Sequence, residues 1–131
     1  MYLLDTNIAS AIINQNKMVL EKITAMPNHW LSISAITAAE LKFGGARRPE
    51  ATNLRKRIQT FLMGMNILPF SDEDATAYAQ LKALASSSGR SLSDMDMLIA
   101  AQAFSRQLIL VTADRAFSHI HQLSIENWLT P

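Results

Sequence analysis

Short apolar runs and longer helical patterns alternate along this chain. Residues 2–5 (YLLD), 30–34 (WLSIS), 66–70 (NILPF), 108–112 (LILVT) and 123–126 (LSIE) are apolar or alternating stretches of strand length. Between them, apolar positions recur at helical spacing over about 7–14, 17–26, 35–46, 50–64, 73–87 and 94–106, with a short turn at 114–120. This alternation predicts an α/β sandwich around a mainly parallel sheet, because parallel neighbours need a crossover between them. Breakers punctuate the pattern at Pro27-Asn28, Gly44-Gly45, Pro49, Pro69 and Ser86-Ser87-Ser88-Gly89. No repeat or low-complexity tract interrupts it, so residues 1–131 read as a single domain.

Four acids fall where an apolar run turns polar: Asp5 in MYLLDTN, Glu40 in SAITAAELKFGG, Asp96 in SDMDMLIAAQA and Asp114 in LILVTADRAF. A carboxylate beside an apolar surface costs free energy unless it is paired or binds a cation. No Lys or Arg lies within three residues of Asp5 or Asp96. On a wheel of about 100° per residue, Asp96 groups with Ile99, Ala100 and Ala103 and faces the sheet. Asp94 groups with Gln102, Ser105 and Arg106 on the polar side, and Ser91-x-x-Asp94 fits a capping box. Glu40 lies among Ile36, Thr37, Phe43 and Gly44, which predicts a buried carboxylate.

Asp5 and Asp114 each follow a strand, at the carboxyl edge where open α/β sheets place their ligands. Either could also be a plain helix N-cap. Thr6, Asn7 and Thr112 add short polar side chains beside them, able to orient water or to cap. Like charges about 4 Å apart repel by about 4 kcal/mol at an effective dielectric near 20. Clustered carboxylates must therefore protonate, spread or take up a cation. Oxygen-only ligands favour Mg²⁺ or Mn²⁺, and such an ion can activate water for phosphodiester hydrolysis.

Charge supports a polyanionic substrate through its distribution rather than its sum. Net charge is +1, from twelve Lys and Arg against eleven Asp and Glu. Lys42, Arg47, Arg48, Arg55, Lys56 and Arg57 fall within sixteen residues whose only acid is Glu50. With the four acids neutralised, the remaining surface would carry twelve cations against seven acids, enough to hold phosphates. By itself such a cluster reads first as a solvated helix face. The absence of cysteine excludes disulfides, thiolate metal sites and a cysteine nucleophile. No apolar run reaches the roughly 18 residues of a membrane span, and MYLLD has no secretory character, so a cytoplasmic protein is expected. His29, His119 and His121 lie outside the acidic blocks, which disfavours a metal-free nuclease built on histidines. Trp30 and Trp128 read as packing residues.

LLDTN (3–7), SAITAAEL (34–41), DMLIAAQA (96–103) and LVTADRAF (110–117) occur in this order. Together they make the chain resemble PIN-domain ribonucleases, especially the VapC-type toxins of bacterial toxin–antitoxin pairs. The resemblance implies a three-layer sandwich with a five-stranded parallel sheet of order 3-2-1-4-5. It places Asp5, Glu40, Asp96 and Asp114 in the catalytic site, with Asp5, Asp96 and Asp114 as Mg²⁺ or Mn²⁺ ligands and Thr112 beside them. Many relatives carry Gly or Pro where this chain has Ser93 and Asp94. The resemblance further implies a structured RNA substrate of the tRNA or rRNA class and products with 5′-phosphate and 3′-hydroxyl ends. A homodimer and a small cognate antitoxin are the implied partners. Lys42, Arg47, Arg48 and Arg55 are candidates for RNA contact, and apolar side chains at Ile8, Ile12, Ile13, Phe61, Leu62, Met63 and Met65 for an antitoxin groove. Two rivals stand beside this reading. A haloacid-dehalogenase-like phosphohydrolase would need Asp at position 7, where the chain has Asn7. A non-enzymatic module would use the acids only to bind metal or a partner.

Overall fold

The computed structural model describes residues 1–87 and 92–130, with side chains for all of these except 86 and 87. Five short parallel strands, β1 (Tyr2–Leu4), β2 (Leu31–Ser34), β3 (Asn66–Leu68), β4 (Ile109–Val111) and β5 (Ile125–Glu126), form one sheet in the order β3-β2-β1-β4-β5. Around it lie α1 (Thr6–Ile13), α2 (Lys17–Thr24), α3 (Ala35–Ala46), α4 (Thr52–Met63), α5 (Asp72–Ser87) and α6 (Asp94–Ser105). The five-stranded order and the flanking helices agree with the expected architecture.

Alternation within β1 divides the core. Leu3 and Leu110 face a cluster with Ala77 and Leu81 of α5 and Met97, Ile99, Ala100 and Ala103 of α6. Leu4, Ile33 and Val111 face the opposite side, against Ile8, Val19, Ala38 and Trp128. A third cluster of Ala9, Ile13, Leu41 and Ile58 joins α1, α3 and α4. Both faces of the sheet are therefore covered by helices, as parallel strands require. Register matters most at the strand ends: Leu4 pairs with Ile33 on one side and Val111 on the other. The next residues, Asp5, Ser34 and Thr112, consequently meet at one edge of the sheet.

Each strand is a residue or two shorter than its apolar run: β1 and β4 stop before the polar residues Asp5 and Thr112, β3 stops before Pro69, and β2 and β5 start one and two residues late. Ser34 accepts from the Ile36 N–H and caps α3, and Asp5 accepts from the Ile8 N–H and caps α1. Trp30, the first residue of the second run, belongs to a 3₁₀ turn, Asn28–Trp30, and residues 115–119 form another 3₁₀ turn. Gly44-Gly45 does not break α3, which continues to Ala46. A Cβ on Gly45 would meet Ile58 at 3.5 Å, ordinary van der Waals contact, so α3 and α4 pack against each other at this glycine. Of the serine-rich breaker, Ser86 and Ser87 end α5, whereas Ser88 and Gly89 lie outside the described residues. Trp128 is core, edge-on to Tyr2, while Trp30 is 41% exposed and does not pack as expected.

The expected polar side of α6 is in part buried. Gln102 is fully buried and donates from Nε2 to the Leu68 and Pro69 carbonyls. Ser105 and Arg106 both donate to Asp74 of α5, and Arg106 also reaches the Pro69 carbonyl. Asp74 is itself fully buried and forms a reciprocal capping box with Ser71. Burial alone would raise its carboxyl, but hydrogen bonds from Arg106, Ser105 and Ser71 outweigh it and bring the pKa down to about 2. A depressed carboxyl contributes stability that is complete above its ordinary value of 3.8 and disappears as pH falls to about 2. Asp74→Ala is therefore expected to cost about 2–3 kcal/mol at neutral pH, because it strips the acceptor from Arg106 and the Ser71 N–H. It should also flatten the loss of stability between pH 4 and pH 2, followed by circular dichroism. An unchanged acid limb in the variant would contradict this assignment.

Candidate active site

The carboxyl edge of the sheet gathers acids from four different elements. Asp5, 4% exposed, follows β1 and uses one oxygen to cap α1, with the Asn7 N–H also toward it. Its other oxygen accepts from the Thr112 hydroxyl at the end of β4. That hydroxyl in turn accepts from the Asp114 N–H at 3.0 Å. The Thr112 proton is thus aimed at Asp5, and β1 and the β4 turn are locked together. Asp114 is exposed, and its Oδ1 accepts from Ala116 N–H at 2.9 Å, capping the 3₁₀ turn. At both positions the capping role and a place at the common edge coexist.

Asp96 enters from the first turn of α6, half-buried, with Ala100 and Ala103 of the same face fully buried. Ser93 is the N-cap of α6, accepting from the Asp96 N–H at 3.2 Å. Ser91 of the expected Ser91–Asp94 box lies outside the described residues. Asp94 instead bonds Lys82 at 2.8 Å, which lowers its carboxyl and leaves it 78% exposed on its side chain. Helix facing therefore separates the two acids.

Glu40 is half-buried rather than buried, because Phe43 beside it on α3 is 64% exposed and does not close over it. Its Oε1 accepts from Thr6 Oγ1 at 2.6 Å, and Thr6 lies 3.1 Å from the Thr37 hydroxyl. Thr6 follows Asp5 directly, so this bond ties Glu40 to the end of β1. Asn7 is exposed beside it.

Electrostatics connects the set. Burial raises the Asp5 carboxyl, the Thr112 and backbone bonds pull it back, and the charge of Asp96 adds to the rise; the net shift is upward. Asp96 is also raised, first by burial and further by Asp114, against the Ser93 hydrogen bond. Asp5, Asp96 and Asp114 thus form a chain of acids whose charges act on one another. Among the described residues, the ion pairs are Arg48–Glu50, Lys82–Asp94 and Arg106–Asp74, none of which involves this set. Nor do three acids stand close enough there to enclose an ion as they are placed. A cation would offset the repulsion that favours this spacing. The donor chemistry, hard carboxylate and hydroxyl oxygens without sulfur, fits Mg²⁺ or Mn²⁺.

The basic segment divides between two surfaces. Arg47 and Arg48 line a cleft of about 250 Å³ together with Thr6 and Glu40. Lys42 and Arg55 instead line a groove of about 590 Å³ between α3 and α4, with Ile58, Leu62 and Met63. The four candidate RNA contacts therefore do not form one patch. His119 and His121 border a separate cleft beside α5. The residues that sequence reasoning missed are Asp74, which ties α6 to α5, and Thr37 behind Thr6. Ser71-x-x-Asp74 has capping-box spacing and was a readable signal for the first; no comparable signal marks the second.

The PIN domain family model matches residues 2–123. The chain is 31% identical over 129 residues to ribonuclease VapC2 of Haemophilus influenzae, covering 98% of both. It is 28% identical over 128 residues to the tRNA(fMet)-specific endonuclease VapC of Shigella flexneri, covering 97% of both. Its fold superposes on DNA-bound VapBC from Salmonella typhimurium with a TM-score of 0.90 at 27% identity, covering 97% of each chain. These matches span the strands, the helices and all four acids, and the chain belongs to the PIN-domain family, among its VapC-type ribonucleases.

Proposed function

We propose that this protein is a divalent-metal-dependent endoribonuclease of the cytoplasm and the toxin of a toxin–antitoxin pair. The observation that carries the reading is the set of four acids at one sheet edge, unpaired with any Lys or Arg among the described residues, with Arg47 and Arg48 lining the cleft that holds Glu40. Asp5, Asp96 and Asp114 would hold Mg²⁺ or Mn²⁺. When bound, such an ion makes water nucleophilic near neutral pH and offsets charge on the nonbridging phosphate oxygens.

The chain's own groups do the positioning. Thr112 fixes the Asp5 carboxylate, and Thr6 holds Glu40, whose free oxygen is available to accept a proton from the attacking water. Arg47 and Arg48 take flanking phosphates. Attack by water, rather than by the RNA's own 2′-hydroxyl, with cleavage of the P–O3′ bond and protonation of the departing 3′-oxygen, gives 5′-phosphate and 3′-hydroxyl ends. A structured RNA of the tRNA or rRNA class is the proposed substrate, supported by the specificity in the Shigella flexneri relative's name. Asn7 and these VapC relatives count against the dehalogenase-like alternative.

The proposed partner is a small antitoxin, supported by the solved VapBC relatives. Ile8 and Ile13 of the expected apolar surface are core, but Leu62 and the 82%-exposed Met63 line the α3–α4 groove. This groove is suited to an amphipathic antitoxin helix. A basic antitoxin side chain directed at Asp5 and Asp96 would displace the metal. The chain is further proposed to form a homodimer within a larger toxin–antitoxin assembly. No helix of the described residues is long and apolar enough to cross a membrane. Expression alone is expected to arrest growth, and co-expression with the neighbouring small open reading frame to restore it, with both proteins co-purifying. Normal growth from soluble chain expressed alone would contradict the toxin assignment.

A further inference from the structure

Phe43 is 64% exposed; it lies near the start of the basic segment, in the last turn of α3, and Leu41 and Gly45 close to it in sequence are buried. Helix geometry fixes its direction. At about 100° per residue, Phe43 shares a face with Ile36, two turns earlier, and lies roughly 60° from Glu40. Ile36 packs against the core cluster that includes α6. Phe43 therefore continues the α6-facing line of α3 beyond the end of the core, on the side from which Asp96 enters. The Arg47 guanidinium stands 5.6 Å from the centre of its ring. Arg47 and Arg48 line the cleft together with Thr6 and Glu40. A Cβ built on Gly44 would meet nothing within 4 Å, so the helix surface between the ring and the cleft is open.

We infer that Phe43, with Arg47 beside it, is a base-binding platform that stacks one unpaired base of the RNA next to the phosphate held at the Glu40 cleft. The inference rests on the ribonuclease reading and adds to it a residue that selects substrate. Charge identifies the occupant: Arg47 adjoins the ring, Arg48 lines the same cleft as Arg47, and Glu50, the acid of this segment, is paired with Arg48. That surface complements a phosphate chain. Every base offers a π-face to an aromatic ring, and an arginine plane beside the ring strengthens the seat. The α3–α4 groove, lined by Ile58, Leu62 and Met63, is a separate and more apolar surface on the other flank of α3.

The test reads stacking without cleavage. Metal-free wild type, Phe43→Ala, Phe43→Leu and Phe43→Trp are titrated into single-stranded oligoribonucleotides carrying 2-aminopurine at successive positions. Wild type and Phe43→Trp are expected to quench the probe strongly at one position. Phe43→Ala and Phe43→Leu should lose that quenching and bind about tenfold more weakly, the order expected for one base–aromatic stack. With Mg²⁺ and a cleavable RNA, Phe43→Ala should raise KM about tenfold with a smaller change in kcat. Equal thermal midpoints check that each variant folds. Wild-type quenching and affinity in Phe43→Ala would overturn the inference. So would normal RNA binding by Phe43→Ala with lost capture of the co-expressed antitoxin, which would assign the ring to a protein interface. RNA stacking by a protein that never cleaves would refute the nuclease reading and leave the platform standing; cleavage unaffected by Phe43→Ala would do the reverse.

Discussion

Asp96→Asn is expected to lower RNA cleavage by at least about 10³-fold, or about 4 kcal/mol of transition-state stabilisation, while the protein stays folded. The substitution removes a charge from the acid cluster at nearly constant volume. The backbone N–H of Asp96, which bonds Ser93, is untouched, and the Asn amide oxygen can keep the bond that the carboxyl makes with the Ser93 side chain. The control is Asp94→Asn, two residues away. Asp94 faces solvent and pairs with Lys82, so its loss removes an exposed ion pair and should leave cleavage within about threefold of wild type. Comparing single-turnover rates of the two variants, with circular dichroism as the check on folding, separates the two roles. An inactive Asp94→Asn beside an active Asp96→Asn would mean that the wrong acid of this helix has been placed in the site.

This pair also illustrates what could be read from the chain alone. The wheel separated Asp96 from Asp94 correctly because α6 is a regular helix whose small apolar face is continuous from Ile99 to Ala103. The same wheel placed Gln102 toward solvent, and it is fully buried. Its Nε2 donates to the Leu68 and Pro69 carbonyls, more than thirty residues away, which periodicity within one helix cannot register. Asp74 escaped notice for the same reason: its partners Ser105 and Arg106 are 31 and 32 residues distant. Strand order followed from the resemblance rather than from any single run. The apolar runs overreach β1 and the end of β4 because Asp5 and Thr112 continue the direction of the chain while their side chains bond to each other; at β2 the overreach is Trp30, which belongs to a 3₁₀ turn. The division of the basic segment between two clefts depends on how α4 packs against Gly45, a tertiary fact with no counterpart in local charge.

The second large effect is expected in the linkage between metal and stability. Mg²⁺ or Mn²⁺ at a hundredfold excess over its dissociation constant should stabilise the native protein by about 2.7 kcal/mol, roughly 10 °C in thermal midpoint for a domain of this size. Asp5→Asn with Asp96→Asn should erase most of that response. The metal-free double variant should itself melt higher than the metal-free wild type. Both carboxyls are pushed up in the folded state, first by burial, so their ionised forms oppose folding at neutral pH. The sign follows from proton binding: a raised group holds its proton more tightly when folded. Its unfavourable contribution therefore grows as pH rises from the ordinary carboxylate range through the raised value, opposite in direction to Asp74. Differential scanning calorimetry with and without the ion checks both statements. No metal response in the wild type, together with unchanged stability of the double variant, would contradict a shared site.

The central claim is metal-dependent hydrolysis of RNA by the acids at the sheet edge. The most direct measurement is cleavage of total RNA by the purified chain, with the new ends sequenced and their chemistry determined. Cleavage at a limited set of sites is predicted with Mg²⁺ or Mn²⁺, leaving 5′-phosphate and 3′-hydroxyl ends, and is predicted to stop in excess chelator and in Asp96→Asn. Cleavage that persists in chelator and leaves 2′,3′-cyclic phosphates would contradict it.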